Sequence, residues 1–278
     1  MKEQIVSLQN PLIKQLVRLQ QKASERAKTG LFIAEGRREV SLALSGRIKP
    51  HNLLICQDIY QEDPSYPIDA LLSDQTDPTM ISRAVYNKLA YRKDVEGVLL
   101  VGEQRDHSLS SLILPPDPLL IILEGVEKPG NLGAILRTAD GAGVDGLILA
   151  DEKAGIYNPN TIRASLGCVF TLPVAACSSE TAITWLTRAD NWQPCQRPTI
   201  YTAALQTEQN YYEADFRGAT ALAFGAEDKG LSAVWREASD KVIRIPMAGH
   251  IDSLNVSASV AILAFEAVRQ RQQQKGRK

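Results

Sequence analysis

Three short stretches carry residue types that could hold a phosphate and a nucleotide-like cofactor. The first is Asn131-Leu132-Gly133-Ala134-Ile135-Leu136-Arg137-Thr138 and the second Phe224-Gly225-Ala226-Glu227. The third is Ile245-Pro246-Met247, followed by Ser253-Leu254-Asn255-Val256-Ser257. Each puts small or amide-bearing residues where an apolar strand is expected to end, and open α/β sheets build ligand sites at such ends. In the first stretch Gly130 and Gly133 permit positive φ and close backbone approach. Asn131 offers a side-chain amide that can cap a helix or hold a ligand. Arg137, about a turn inside, has the planar fork that fits phosphate. In the second, backbone groups between Gly225 and Gly230 could read an adenine edge or a cofactor amine. In the third, Ser253 and Asn255 suit the N-cap of a helix crowded with Ala258, Ser259, Ala261, Ala264 and Ala267, small residues that allow close helix packing. Each stretch also has a plainer reading as a capped strand-to-helix turn.

Other chemistries find little support. The Gly-x-x-Gly at Gly130 lacks the first glycine of the dinucleotide fingerprint, and no Gly-Lys-Ser/Thr is present to make a P-loop. His51, His107 and His250 fall in predicted loops with no nucleophile elbow. Cys56, Cys168, Cys177 and Cys195 form no Cys-x-x-Cys and have no histidine at a metal-finger spacing, so they read as structural thiols in a reducing compartment, with no metal site. Neither a signal-peptide core nor an apolar run of the ~20 residues needed to cross a bilayer occurs, and the expected location is cytoplasmic.

The 278 residues, 44% hydrophobic and 23% charged, suit one large domain or two smaller ones, and a net charge of −1 carries no global nucleic-acid signature. The first fifty residues differ: Lys2, Lys14, Arg18, Lys22, Arg26, Lys28, Arg37, Arg38, Arg47 and Lys49 outnumber Glu3, Glu25, Glu35 and Glu39. Residues 51–80 reverse the sign. This asymmetry reads as a basic face for phosphates or, more simply, as a solvated helix face.

The elements that must position these residues follow from periodicity. Apolar spacing over residues 10–24 predicts a helix with Pro11 in its first turn. Strands are expected at 31–36, 53–56, 70–73 and 98–101, with helices at 37–44 and 78–89, which makes an α/β unit over residues 1–105. The Ser- and Pro-rich stretch 106–118 reads as a linker. From 119 to 278 a second domain opens with the continuous apolar strand Leu119–Leu123, suited to a parallel sheet covered on both faces. Helices are predicted at 133–142, 158–166, 181–188 and 253–272. Strands are predicted at 146–149, 170–174, 199–203, 219–224 and 242–245, and the tail from Arg269 should fray.

Taken together and in this order, the three stretches resemble the signature motifs of the SpoU (TrmH-type) RNA ribose 2′-O-methyltransferases. Asn131-x-Gly133-x-x-x-Arg137-Thr138 is similar to the first motif, with Glu124 at its upstream acidic position. Gly225-x-Glu227 is similar to the second, and Ile245-Pro246-Met247 with Ser253-Leu254-Asn255-Val256-Ser257 to the third. Asn158-Pro159 and Ser165-x-Gly167 match the segment between. Residues 7–101 resemble the family's N-terminal substrate-binding domain, most clearly at Phe32-Ile33-Ala34-Glu35-Gly36-Arg37.

The resemblance implies an α/β fold: a C-terminal SPOUT domain with a mostly parallel sheet and a deep trefoil knot, and a smaller α/β/α ribosomal-protein-like N-terminal domain. Periodicity alone argues against a knot. It further implies S-adenosylmethionine as cofactor, contacted by Gly225, Ile245 and Leu254 with Leu222 and Met247 beside them. The implied catalytic set is Arg137, Asn131, Glu227, Ser253 and Asn255, with Arg137 fixing a phosphate and lowering the pKa of the ribose hydroxyl. The implied partners are ribosomal RNA, or transfer RNA as the alternative, and a second copy in a homodimer whose subunits complete each other's sites. A base methyltransferase and a non-catalytic RNA-binding or assembly protein are the competing readings. Where the family commonly has glycine after the second-motif glutamate this chain has Asp228, which would have to tolerate positive φ if that glycine were needed for it.

Overall fold

The computed structural model describes residues 4–71, 77–91, 96–192, 196–205 and 207–275, and Cys195 lies outside them. The chain separates into two compact units. One holds residues 1–105 together with 155–171, and the other holds 106–154 and 172–278.

The first unit begins with α1 (Pro11–Gln21), where the Asn10 side chain accepts from Leu12 N and Pro11 occupies the first turn. The helix α2 (Ala23–Thr29) ends at Gly30 with φ 65°. Then follow β1 (Leu31–Glu35), α3 (Arg37–Ser45), β2 (Pro50–Ile55), α4 (Ile68–Leu71), β3 (Thr79–Met80), α5 (Arg83–Leu89) and β4 (Val98–Glu103). The sheet order is β1-β4-β2-β3, antiparallel except for the β2–β3 pair. Alternation along β1 sends Leu31 and Ile33 into a core with Ile13, Leu16 and Leu19 of α1 and Val85, Tyr86 and Leu89 of α5. The opposite face takes α3, so the unit is an α/β/α sandwich. On it, Phe32 stacks with Tyr157 and Phe170 at centroid distances of 4.5 and 5.3 Å, which anchors residues 155–171 here.

The expected strand at 70–73 is replaced by the short helix α4; Leu72 and Ser73 lie outside the described residues. Four apolar-leaning residues cannot distinguish a strand from a buried helical turn. The expected basic face is also thinner than the composition implied. Arg26 is buried and donates from Nη1 to Leu19 O (3.0 Å) and Gln20 O (3.1 Å), so it satisfies the end of α1. Burial lowers its pKa. Arg37 faces Glu96 and Asp63, and Lys49 pairs with Glu103. Lys14, Lys22 and Lys28 remain exposed.

In the second unit, residues 106–118 pack against the body: His107 O accepts from Ala176 N (2.8 Å), and Leu109, Leu112 and Leu114 touch the core. The elements that follow, α7 excepted, form this unit: β5 (Leu119–Glu124), α6 (Pro129–Gly141), β6 (Gly146–Ala150), α7 (Pro159–Ala164, part of the first unit), β7 (Val174–Cys177), α8 (Ser179–Thr187), β8 (Thr199–Ala203), β9 (Thr220–Phe224), α9 (Ala233–Ala238), β10 (Lys241–Ile243) and α10 (Val256–Lys275). The six-stranded sheet runs β10-β8-β9-β5-β6-β7, and each neighbouring pair is parallel. Its central strands β5, β6 and β9 are buried along essentially their whole length, as two covered faces require. Helices α8 and α9 cover one face through Ala182, Leu186 and Trp235. Across α6 the stripe Leu132, Ile135, Leu136 and Ala139 is buried at helical spacing, and α10 packs against α6 with Val260, Leu263, Ala264 and Ala267 buried.

Several boundaries move. Residues 168–170 form a 3₁₀ turn rather than the start of a strand, because Gly167 at φ 86° breaks the chain's direction first. The last strand stops at Ile243, and α10 extends to Lys275 where fraying was expected. Among the described residues no helix is long and apolar enough to cross a membrane. Replacing Arg26 with Met should cost about 1–3 kcal/mol of stability in chemical denaturation, because two helix-end carbonyls lose their donor.

Candidate active site

Parallel pairing puts the carboxyl ends of β5, β9, β8 and β10 on one edge. Leu123 stands opposite Phe224, Thr202 opposite Ala223 and Ala203 opposite Ile243. The chain leaves each strand there, and three of the departing segments carry the motif residues.

The turn after β5 reverses at Gly125, with φ 62°. Gly130 and Gly133, expected as turn glycines, both lie inside α6, which starts at Pro129. Asn131 is therefore a first-turn helix residue and not a cap, and its Nδ2 donates to Glu227 Oε1. The Nδ2 of Asn255, immediately before α10, reaches the same Glu227 oxygen at 3.1 Å and Asn131 Oδ1 at 3.3 Å. Asn255 is held in turn by Ser257, whose N (2.8 Å) and Oγ (2.6 Å) both donate to its Oδ1. The other Glu227 oxygen takes the ammonium of Lys128, an ion pair that raises the pKa of Lys128 chiefly through that hydrogen bond. A sequence reading misses Lys128, although a lysine at the N-cap of a 13-residue helix opposes the helix dipole and so hints at an acidic partner.

The segment after β9 folds back on itself. Gly230, with φ 62°, donates from N to Ala226 O at 2.8 Å, and Ala226 and Gly230 form an isolated antiparallel bridge. A Cβ on Gly225 would collide with the backbone of Gly230 and Leu231, so only glycine fits there. Asp228 is absent from the residues with positive φ; Gly230 takes that conformation, so the aspartate carries no backbone strain.

These segments enclose a cavity of about 470 Å³, lined among others by Phe224, Gly225, Glu227, Ile245, Met247, Ser253 and Leu254. That size lies within the roughly 300–1,000 Å³ typical of small-molecule sites. Asp228 and Asp252 supply negative charge to its wall and Lys229, Arg236 and Arg244 positive charge. A second cavity of about 260 Å³, lined by Val126, Lys128 and Asn131, shares Ala226, Glu227, Asp228 and Val256 with the first. Glu227 thus stands on the partition between the two.

Two sequence-predicted residues sit elsewhere. Leu222 is fully buried within β9, two residues short of the cavity wall at Phe224. Arg137 is exposed on α6, lines neither cavity, and makes no hydrogen bond or ion pair among the described residues. No cluster of side chains suited to a metal ion occurs among the described residues.

A model of the SpoU rRNA Methylase family matches residues 118–265, the region that contains both cavities. The chain belongs to that family. Residues 10–100 match the MRM3-like substrate binding domain. An uncharacterized tRNA/rRNA methyltransferase of Synechocystis is 32% identical over 96% of this chain and 93% of its own. The 23S rRNA (guanosine-2′-O-)-methyltransferase RlmB of Shewanella oneidensis is 38% identical over 60% of this chain, an alignment that spans just under two thirds of that relative, 65%. The crystal structure of the SpoU methyltransferase AviRb of Streptomyces viridochromogenes, in complex with the cofactor AdoMet, superposes with a TM-score of 0.85 at 27% identity, covering 95% of this chain and 99% of that one.

Gly225→Ala should destabilise the protein by about 1–3 kcal/mol, read as a lowered Tm. Gly218→Ala, where a Cβ meets nothing within 4 Å, is the control and should stay within about 0.5 kcal/mol.

Proposed function

We propose that this member of the SpoU family is an RNA ribose 2′-O-methyltransferase that uses S-adenosylmethionine and acts on ribosomal RNA in the cytoplasm. The observation that carries the proposal is the Glu227–Asn131–Asn255 cluster, which stands between a cavity sized for a cofactor and a second cavity open to substrate. The mixed charge of the larger cavity fits a donor that carries a carboxylate, an ammonium and a sulfonium. Bound there, the donor supplies an activated methyl group.

This chain's residues then do three things. Gly225, Ile245, Met247 and Leu254 shape the cofactor wall, while Leu222 supports it from within β9. Asn131, Asn255 and Lys128 hold the Glu227 carboxylate in one place, so its orientation is set before substrate arrives. Ser253, on the wall of the larger cavity, faces the same space and positions substrate. Methylation of a hydroxyl also needs its proton removed. A guanidinium is a poor base, since its proton leaves only above about pH 12. Arg137 therefore acts by fixing the adjacent phosphate and favouring the ionised hydroxyl.

Because Arg137 projects to solvent from its own chain, we read it as serving the site of a second copy in a homodimer. The exposed Phe265 and Ala258 of α10 offer a face for that copy. We also read the return of residues 244–255 to the sheet edge as the knotted SPOUT connection. Residues 1–105 supply RNA docking through Lys14, Lys22 and Lys28, and the spacer 106–118 leads into a catalytic domain over 119–278.

Label from radioactive S-adenosylmethionine should enter ribose in ribosomal RNA; label in bases, or in transfer RNA only, would overturn the assignment. Arg137→Ala should lose about 10²-fold or more in kcat while keeping cofactor affinity. Mixing Arg137→Ala with inactive Asn255→Ala chains should restore activity if sites are shared between subunits, and no recovery would place Arg137 in its own chain's site. Changing Lys14, Lys22 and Lys28 to Gln should reduce the slope of log affinity against log salt by about one per lysine that meets a phosphate.

A further inference from the structure

The donor loop is anchored at a point that the catalytic set does not include. Glu124, the last residue of β5, accepts a hydrogen bond from Ser232 N at 2.7 Å through Oε2. Ser232 immediately follows the loop 225–231, whose near end is fixed by β9 and by the Gly225 contact. The Oε1 of Glu124 lies 3.3 Å from Ser179 Oγ. That hydroxyl, in a residue only 3% exposed, has its proton committed to Asp151 Oδ2 at 2.5 Å and accepts from the indole of the fully buried Trp235 at 2.9 Å. Asp151 itself adopts φ 52°, a conformation that a non-glycine residue holds only when its surroundings demand it. Glu124 at the end of β5, Asp151 just after β6, Ser179 of α8 and Trp235 of α9 therefore form one polar cluster next to the loop. Leu231, 4% exposed, is packed in the core beside it, and Arg236 Nη1 donates to Leu231 O at 2.8 Å.

We propose that Glu124 is a positioning residue for the methyl donor. It touches neither cavity, yet it fixes the far end of the loop whose backbone forms the wall of the larger one. A carboxylate there accepts the Ser232 amide more strongly than a neutral group would. With Glu124 removed, Ser232 N loses its acceptor; the loop keeps its Glu227 contacts, its Ala226–Gly230 bridge and Leu231, but its far end is less firmly set in advance of binding. The cost falls on donor affinity and not on RNA recognition.

The inference rests on the larger cavity being the donor site, and calorimetry with S-adenosylhomocysteine tests both ideas separately. If the unaltered protein binds no S-adenosylhomocysteine, the donor-site reading fails. If it does bind, Glu124→Ala should weaken binding about tenfold, the cost of one lost charge-assisted hydrogen bond. Glu124→Gln, whose amide oxygen still accepts from Ser232 N and whose amine can donate to Ser179 Oγ, should recover affinity to within about threefold. The KM for RNA should stay unchanged in both variants. Equal affinity in Glu124→Ala and the unaltered protein would overturn the inference. So would a Gln variant as weak as the Ala variant, since Gln keeps an acceptor for Ser232 N and an equal loss would assign the effect to something other than that hydrogen bond.

Discussion

The carboxylate of Glu227 joins three segments that are far apart in sequence, and the candidate site depends on that junction. Lys128 and Asn131 come from the N-terminal end of α6, Asn255 from just before α10, and Glu227 from the turn after β9. These segments leave the sheet edge as short turns, two of them leading into helices, and the carboxylate cross-links them to one another. A carboxylate suits the task because it accepts from several donors at once, and charge-assisted bonds are stronger than neutral ones. The all-parallel sheet makes the meeting possible, since it delivers every strand's carboxyl end to one edge.

Steric constraint complements this electrostatic one. Gly225 admits no side chain because the returning backbone of Gly230 and Leu231 occupies that space. The loop is consequently compact enough to act as a wall and not as a flap. Positive φ is needed at Gly230 alone, so the charged Asp228 can stand in a turn where relatives commonly carry glycine. Glu124 then ties the loop's far end to the sheet. Held at both ends, the loop needs little ordering on binding, which is the arrangement that spends least binding energy.

The same sheet leaves Arg137 outside. Helix α6 buries Leu132, Ile135, Leu136 and Ala139 against the sheet and α10, and a residue between those positions must face away. Asn131, six residues earlier, lies on a different side of the helix and reaches Glu227. At about 100° per residue the two side chains leave α6 roughly 120° apart, so Asn131 meets Glu227 while Arg137 faces solvent.

Much of this was legible in residue order. The apolar run at 119–123 announced a buried parallel strand and that at 219–224 a further strand, residues 158–166 announced a helix, and the three motif stretches identified the sheet edge that carries the site. Short segments were harder. Residues 68–71 lack the length to express a period, and α6 begins at Pro129, so the positive φ of that turn falls on Gly125 and not on the more conspicuous Gly130 and Gly133. Composition overstated the basic face, because Arg26 is buried against helix carbonyls and Arg37 faces acidic partners. The sequence by itself determined the elements, the family and the residue types at the site, since those depend on local periodicity and local spacing. Only the tertiary structure decided that Lys128 and Asn255 share one carboxylate, that Glu124 reaches Ser232, that residues 155–171 pack with the first unit and that Arg137 turns outward. Those are contacts between positions tens to more than a hundred residues apart or choices of helix face, and they follow from register and packing, which no local pattern encodes.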